Sequence, residues 1–177
     1  MDFTTLCVHG CAKKYDTTGA ISVPIYQTAT FAHPGVGMST GFDYSRVQNP
    51  IREHLEQTIA MLEGGIDAMA FSSGMAAASA LMELFSPGDH IIVSDDLYGG
   101  SRRLFQTISV KNGLHFDYVD TSRLDLVKSY IKPETRAIFI ETPTNPLMRV
   151  TDIEAVSRVA KQHGILLIVD NTFLTPY

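Results

Sequence analysis

Residues 165–173 read Ile-Leu-Leu-Ile-Val-Asp-Asn-Thr-Phe, and this stretch decides the fold. An apolar run that does not alternate with polar residues is typical of a strand buried on both faces of a parallel sheet. Ligands of such α/β proteins bind at the carboxyl ends of the strands. We therefore expect Asp170 to lie at a ligand-binding edge, where its carboxylate can pair with the protonated ring nitrogen of a cofactor.

Composition limits the classes of protein to which the chain can belong. Its 177 residues, 45% of them hydrophobic, suit one domain with an appended segment. A net charge of −5 argues against nucleic-acid binding, and no apolar run approaches the roughly 20 residues of a membrane span. Residues 1–5 lack the basic start of a signal peptide. Cys7 and Cys11 have no further metal ligands at zinc spacing, so we expect a cytoplasmic protein with two free thiols and no metal.

The pattern of the chain changes near residue 50. Before it, Gly, Pro and Thr recur without a helical period, which predicts an irregular arm over residues 1–50 that lies on its own domain or on a partner. After it, helix and strand signals alternate. The predicted helices are 51–62, 75–85, 102–111, 124–131 and one that opens at 151. The predicted strands are 66–71, 90–93, 114–119, 136–140 and 165–169. This alternation predicts an α/β fold with a mostly parallel sheet and helices on both faces.

The last predicted helix has the clearest boundaries. Thr151 to Glu154 has the sequence of a capping box, which marks the start of a helix. We expect Ile153, Val156 and Ala160 to face inward. Gly164 is predicted to end the helix before the strand at 165.

Two segments that follow predicted strands suit a phosphate and a flat ring. Ser72-Ser73-Gly74-Met75 lies at a strand-to-helix turn, where the glycine lets an anion approach and the free amides of the helix start can bind a phosphate. Tyr98 precedes Gly99-Gly100, and its ring can stack on a flat cofactor. Taken singly, a plain strand–helix turn and a packing tyrosine remain the alternatives.

Three further segments carry polar groups. Asn145 lies between two prolines that fix its turn, and its amide can hydrogen-bond a phenolate oxygen. Asp43 to Arg46 in the arm offers a guanidinium fork and a tyrosine hydroxyl for a phosphate, or else a surface turn with one ion pair. Arg103 suits a substrate carboxylate or a solvated helix position. Because four of the signals follow successive strands of one sheet, together they favour a single cofactor site.

In this order, the segments resemble the Cys/Met-metabolism family, the transsulfuration enzymes of pyridoxal phosphate (PLP) fold type I. The resemblance runs from the arm to Tyr177 and implies that family's fold and cofactor. The matching segments are Pro24-Ile25-Tyr26-Gln27-Thr28, Asp43-Tyr44-Ser45-Arg46 with Asn49-Pro50, Ser72-Ser73-Gly74-Met75, Asp96-Leu97-Tyr98-Gly99-Gly100, Glu141 to Pro146 and Asp170 to Phe173.

The resemblance assigns roles to the residues at the sheet edge. Gly74 and Met75 would bind the cofactor phosphate through their backbone amides. Tyr98 would be the catalytic residue present in this chain, stacking on the pyridine ring and helping to transfer protons. Asp170 would keep the ring nitrogen protonated, with Thr172 beside it.

The remaining roles concern the phenolate oxygen, the substrate and a second subunit. Asn145 would face the phenolate oxygen of the cofactor, and Arg103 would contact the substrate. Tyr44 and Arg46 would reach the phosphate held by a neighbouring subunit. The resemblance therefore implies an obligate dimer and usually a homotetramer.

Two positions bear on the reaction. Asp43 is acidic, as in members that handle cystathionine, where a second amino group needs a counter-charge. Methionine γ-lyases usually carry an apolar residue there, and a cysteine where this chain has Gly100. The contexts of both positions are most similar to those of cystathionine γ-synthases, which replace the acyl group of an O-acyl-homoserine with cysteine. Cystathionine γ-lyase and methionine γ-lyase activities remain the alternatives.

The family's Schiff-base lysine follows in a Ser-x-Thr-Lys motif that no lysine of this chain matches. Residues 51–177 are therefore expected to be the N-terminal part of the cofactor domain, without the lysine and the C-terminal domain. Such a fragment would be inactive alone. The other hypothesis is a non-catalytic assembly module whose arm docks on a complete partner.

Overall fold

The computed structural model describes residues 2–11 and 18–176. These residues form two compact units, one reaching Phe71 and also containing Pro176, the other running from Ser72 to Thr175. The boundary between the units lies further along the chain than residue 50, where the sequence pattern changes.

The arm in the first unit contains one short helix that the sequence pattern did not predict. Helix α1 (Phe3–His9) begins at Asp2, whose carboxylate accepts a hydrogen bond of 2.8 Å from the N–H of Thr5. The N-cap bond stabilises a helix start that has no sustained apolar period. Between residues 18 and 49 the chain is irregular, as predicted.

The predicted helix after the arm is confirmed as α2 (Pro50–Leu62). Asn49 caps it by accepting a hydrogen bond of 3.1 Å from the N–H of Ile51, and Pro50 occupies the first turn, where it costs no hydrogen bond. Leu55 and Ile59, which recur at helical spacing, are 51% and 40% exposed. The apolar face of α2 therefore remains partly uncovered within the described residues.

The predicted strand over 66–71 is wrong. These residues form no strand, and Ile66 and Met69 are exposed. A strand requires a neighbour that accepts its backbone hydrogen bonds, and no strand among residues 2–11 and 18–176 pairs with this run. Ala70 instead donates its N–H to the Glu56 carboxylate at 2.9 Å.

The second unit is built on a parallel sheet of four strands, which confirms the predicted sheet. The strands are β1 (His90–Ser94), β2 (His115–Val119), β3 (Thr135–Glu141) and β4 (Leu166–Asp170), and their spatial order is β2-β1-β3-β4. The pairing of β1 with β3 shifts by one residue at its start. His90 is opposite Thr135 but Ile91 is opposite Ala137, so Arg136 is an extra residue.

Helices cover both faces of this sheet, as predicted. They are α3 (Gly74–Met82), α4 (Gly99–Leu104), α5 (Leu124–Ser129) and α6 (Ile153–His163), and a π-helical turn (Phe105–Ser109) continues α4. Residues of α3, α4 and the π-helical turn pack with Ile91, Val93, Ala137 and Phe139. Residues of α5 and α6 pack with Ile92, Ile138 and Ile140 on the opposite face.

The predicted capping box of α6 is wrong by one residue. Asp152 is the N-cap and accepts a hydrogen bond of 2.9 Å from the N–H of Ala155. Thr151 is buried and donates its backbone N–H to the Thr142 hydroxyl at 3.0 Å. Ile153, the first residue of α6, is 40% exposed, against the prediction. Val156, Ala160 and the left-handed Gly164 cap are as predicted.

Three observations concern the expectations from composition. Cys7 is exposed and Cys11 is buried, and both are free thiols as predicted. In the described stretches, no helix combines the length and the apolar character needed to cross a membrane. The same stretches hold no group of three or more His, Cys, Asp or Glu side chains placed to bind a metal ion.

Replacing Asp152 with alanine should lower the free energy of unfolding by about 1 kcal/mol, because the N-cap bond to α6 is lost. Urea denaturation would measure the change. The matched control is Glu154→Ala in the same turn, which removes an exposed pair with Arg158 worth at most about 0.5 kcal/mol. Equal effects of the two substitutions would contradict Asp152 as the cap.

Candidate cofactor site

The carboxyl ends of β3 and β4 bring two carboxylates side by side. Glu141 ends β3, Asp170 ends β4, and the two residues are partners in the parallel register. The pairing extends one step into the next loop, where Thr142 donates its N–H to the Asp170 carbonyl at 3.2 Å. Both acids therefore lie at the carboxyl edge of the sheet, where the sequence predicted Asp170 to lie.

The Asp170 carboxylate is held through one of its oxygens. Its Oδ1 accepts the N–H of Thr172 at 3.2 Å and the hydroxyl of the same residue at 2.5 Å. Within the described residues no protein group donates to Oδ2. The half-buried carboxylate is thus oriented and still has an oxygen for a ligand.

The start of α3 presents free backbone amides. Ser73 caps the helix by accepting a hydrogen bond of 3.1 Å from the N–H of Ala76, and the first backbone bond runs from Ala77 to the Ser73 carbonyl at 3.1 Å. The amides of Gly74 and Met75 come before that bond, so the helix itself provides no partner for them. A Cβ atom on Gly74 would meet nothing within 4 Å, so the space beside it is open. These are the features of an anion site.

Tyr98, Gly100 and Met75 lie against one another. A Cβ atom added to Gly100 would be 2.4 Å from Cε1 of Tyr98 and 2.9 Å from Sδ of Met75. Only glycine at this position leaves the tyrosine ring where it is. The ring is half exposed and lies near the start of α3.

Glu141 links the segments that carry Tyr98 and Asn145. Its Oε2 accepts the N–H of Tyr98 at 2.7 Å and its Oε1 accepts the N–H of Asn145 at 2.8 Å. Burial raises the pKa of this carboxyl above its usual value; the two amide bonds lower it, and the nearby carboxylates of Asp170 and Asp96 raise it further. Sequence reasoning quoted Glu141 in a motif but gave it no role.

The loop that bears Asn145 is anchored by acids at the end of β1. The Asp96 carboxylate accepts the Thr144 hydroxyl and the N–H of Leu147, the latter at 3.0 Å. Arg149 pairs with Asp95 at 3.0 Å. The peptide bonds before both prolines of the loop are cis. Side-chain anchors that the sequence pattern did not reveal thus fix this loop.

The predicted residues of the arm lie in the first unit. The Arg46 guanidinium is 5.1 Å from the centre of the Tyr44 ring, within the range of a cation–π contact. Asp43 accepts the Ser39 hydroxyl at 2.7 Å and pairs with Nε2 of His33 at 3.2 Å, yet its side chain is 59% exposed. The three arm residues therefore form one local group on an antiparallel bridge between Thr30 and Tyr44.

The second unit contains every other predicted site residue. The structure places Met75 and Tyr98 beside Gly100, and it joins Tyr98 to Asn145 through Glu141. Arg103 is exposed on α4.

Known proteins match the chain over nearly its whole length. The family model described as Cys/Met metabolism PLP-dependent enzyme matches residues 4–177. The chain is 55% identical over 164 residues to a cystathionine gamma-synthase/O-acetylhomoserine (thiol)-lyase of Bacillus subtilis strain 168, a match that covers 93% of this chain and 44% of that protein. It is 51% identical over 173 residues to a cystathionine beta-lyase of Lactococcus lactis subsp. cremoris strain MG1363, covering 98% of this chain and 46% of that protein.

The fold matches as closely as the sequence. The crystal structure of cystathionine gamma-lyase from Lactobacillus plantarum complexed with L-serine superimposes with a TM-score of 0.94 at 47% identity, covering all of this chain and 46% of that one. The chain spans about half the length of the curated relatives it matches. On these matches, the chain belongs to the Cys/Met metabolism family of PLP-dependent enzymes, which implies pyridoxal phosphate as its cofactor.

Proposed function

We propose that the chain is the N-terminal part of an enzyme that replaces the acyl group of an O-acyl-homoserine with cysteine and so forms cystathionine. The acyl group leaves Cγ of the homoserine as a free carboxylate, the sulfur of cysteine bonds to the same carbon, and the thiol proton of cysteine is released. The observation that carries this choice is Asp43, a mostly exposed carboxylate in the arm that can face the amino group of a second amino acid. The 55% identical relative from Bacillus subtilis, which has synthase in its name, supports it.

The residues present fit the cofactor. Free amides at the start of α3 suit a phosphate, the half-exposed Tyr98 ring suits stacking, and Asp170 has an oxygen available for a protonated ring nitrogen. When bound, pyridoxal phosphate supplies an electron sink that stabilises negative charge on substrate carbon.

Each residue has a definite task in this proposal. The amides of Gly74 and Met75 hold the phosphate. Asp170, kept in orientation by Thr172, holds a proton at the ring nitrogen. Tyr98 stacks on the ring and moves protons, and the Asn145 amide donates to the phenolate oxygen.

The substrate and the subunit interface involve the exposed residues. Arg103 on α4 binds the carboxylate of the substrate, as its planar fork favours. Tyr44 and Arg46, held together by their cation–π contact, reach the cofactor phosphate of a neighbouring subunit. The proposal therefore includes a homodimer as the smallest complete unit, and a tetramer as the full assembly.

Cystathionine lyase activity is the second candidate, because a 51% identical relative is a cystathionine beta-lyase. The test uses the complete protein that contains this chain. It compares formation of cystathionine from an O-acyl-homoserine and cysteine with cleavage of cystathionine and of methionine. Faster cleavage of cystathionine would establish a lyase, and faster γ-elimination of methionine would also reject the synthase.

A separate measurement addresses the assembly-module hypothesis. The 177-residue chain is mixed with pyridoxal phosphate and reduced with borohydride. None of its lysines lies in the expected motif, so we expect no covalent adduct by mass spectrometry. An adduct would show that the chain can anchor the cofactor alone. An inactive complete protein that still bound a second, active subunit would favour the module.

Gly100→Ala should weaken pyridoxal phosphate binding by about tenfold, because the added methyl group displaces the Tyr98 ring and its stacking is lost. Absorbance titration of the complete apoprotein would measure the dissociation constant. Gly99→Ala is the matched control, since its methyl group would meet nothing within 4 Å. Similar affinities of the two variants would contradict the proposed ring position.

Asp170→Asn should lower kcat by about 10²-fold or more, because the amide cannot stabilise the positive ring nitrogen. The substitution preserves the shape of the side chain and an oxygen for Thr172. Steady-state kinetics with saturating cofactor would show the loss. Thr172→Val, which removes the hydroxyl bond to the carboxylate and keeps the bond from the N–H, should have a smaller effect. Full activity of Asp170→Asn would reject the role of the carboxylate.

Asp43→Asn should raise the KM for cysteine about fivefold and leave the KM for the O-acyl-homoserine unchanged. A partly exposed ion pair contributes about 1 kcal/mol, which corresponds to that factor. Ser39→Ala is the control, because it removes a hydrogen bond to Asp43 without removing the charge. Equal changes in both KM values would place Asp43 outside the cysteine site.

A further inference from the structure

We propose that Glu141 is a positioning residue whose two carboxylate oxygens set the spacing between Tyr98 and Asn145 for the cofactor ring. The inference rests on the proposed function, because that function makes Tyr98 and Asn145 the ring contacts. Glu141 itself is 4% exposed and is not expected to touch the cofactor.

The geometry gives each oxygen its own task. Oε2 accepts from Tyr98 at 2.7 Å and Oε1 accepts from Asn145 at 2.8 Å, so one rigid carboxylate spans both segments. Its own backbone is held as well, since the Glu141 N–H donates to the Ser94 hydroxyl at 3.2 Å. The distance between Tyr98 and Asn145 is therefore set from the end of β3.

Only a carboxylate satisfies both amides. Two N–H donors require two acceptors, and glutamine offers one oxygen and an NH₂ group that would face the other donor. Aspartate carries two acceptors on a side chain shorter by one methylene, so it reaches only one of the segments. This position therefore requires both the two acceptors of a carboxylate and the side-chain length of glutamate.

The charge of Glu141 is a cost to folding at neutral pH. Asp170 and Asp96 face it, and among the described residues no Lys, Arg or His lies within ion-pair distance of it. Because burial raises the folded-state pKa of Glu141, its favourable contribution to stability is present below the unfolded pKa of about 4.3 and is lost as the pH rises through the folded pKa. A side chain serving stability alone would be better uncharged here.

Asp170 connects this cost to the ligand. A positive ring nitrogen beside Asp170 offsets the repulsion between that carboxylate and Glu141, its neighbour across the β3–β4 pairing. Binding of the cofactor is therefore expected to favour the ionised form of Glu141. The same carboxylate that destabilises the free protein is then stabilised in the complex.

The first test needs neither cofactor nor activity. Hydrogen exchange of the complete apoprotein is compared for the wild type, Glu141→Gln and Glu134→Gln. We expect the amides of Tyr98 and Asn145 to lose at least tenfold protection in Glu141→Gln, because one hydrogen bond is lost and the other weakened. Glu134 is exposed at the opposite end of β3, so Glu134→Gln should leave both amides protected.

The second test measures pyridoxal phosphate affinity by absorbance titration at pH 8. Glu141→Gln should weaken binding about tenfold, because the segments that carry Tyr98 and Asn145 are no longer held at a fixed spacing. Glu134→Gln should leave the affinity unchanged.

Unchanged protection of both amides in Glu141→Gln, or an unchanged affinity for pyridoxal phosphate, would overturn the inference. If Glu141→Gln does not fold, Glu141→Asp should expose one of the two amides and keep the other protected. Protection of both in Glu141→Asp would also overturn it. A complete protein that shows these effects but forms no cystathionine would reject the proposed reaction and leave the role of Glu141 intact.

Discussion

The candidate site depends on the parallel pairing of β1 with β3 at the centre of the sheet. Ile91, Ile92 and Val93 on one strand and Ile138 and Ile140 on the other are completely buried. Each such side chain contributes about 2 kcal/mol by leaving water. With both faces covered, the backbone groups of the two strands find their partners within the sheet, in each other and in the outer strands β2 and β4. The loops that leave their carboxyl ends therefore start from fixed points.

At the ends of these strands, side-chain carboxylates accept hydrogen bonds from the backbone amides of the loops. Asp96, after β1, holds the loop that follows β3, and Glu141, at the end of β3, holds the segment that follows β1. The two strands thus anchor each other's loops. This reciprocal arrangement lets short irregular segments present Tyr98 and Asn145 with the precision of regular structure, which cofactor binding demands.

Sequence patterns predicted those elements whose local signals agree with their tertiary surroundings. The apolar run 165–169 forms a strand that pairs with β3, although only Ile168 in it is buried and Leu166 is 46% exposed, against the predicted burial on both faces. The run 66–71 is also mostly apolar but forms no strand, because a strand depends on a partner that no local pattern specifies. The pattern placed the start of the last helix at Thr151, but Asp152 is the N-cap, and Ile153, which periodicity placed inward, is 40% exposed. Neighbouring residues can each serve as an N-cap, and sequence patterns do not resolve a helix start to within one or two residues.

In the site, too, sequence patterns predicted some residues and overlooked others whose partners come from distant parts of the chain. The position of Asp170 at the carboxyl edge of the sheet could be predicted because it is the polar residue that ends an apolar strand. Glu141 ends β3 in the same way, so the signal was present. Its carboxylate, however, accepts a hydrogen bond from the backbone amide of Tyr98, which lies 43 residues earlier in the chain. Motif reasoning assigns roles to side chains that face a ligand. It overlooks residues whose partners are backbone groups brought near only by folding.

The register shift at Arg136 determines the face of the sheet on which Glu141 lies. Before it, Thr135 meets His90 through a side-chain hydrogen bond of 2.8 Å. After it, Ala137 and Phe139 alternate onto the face covered by α3 and α4, and Glu141 follows in the same phase. If the register set at His90 continued without the shift, Ile91 would lie opposite Arg136, and Glu141 would be directed toward α5 and α6. A one-residue register shift at the amino end of β3 thus decides where a carboxylate lies at the other end of the strand.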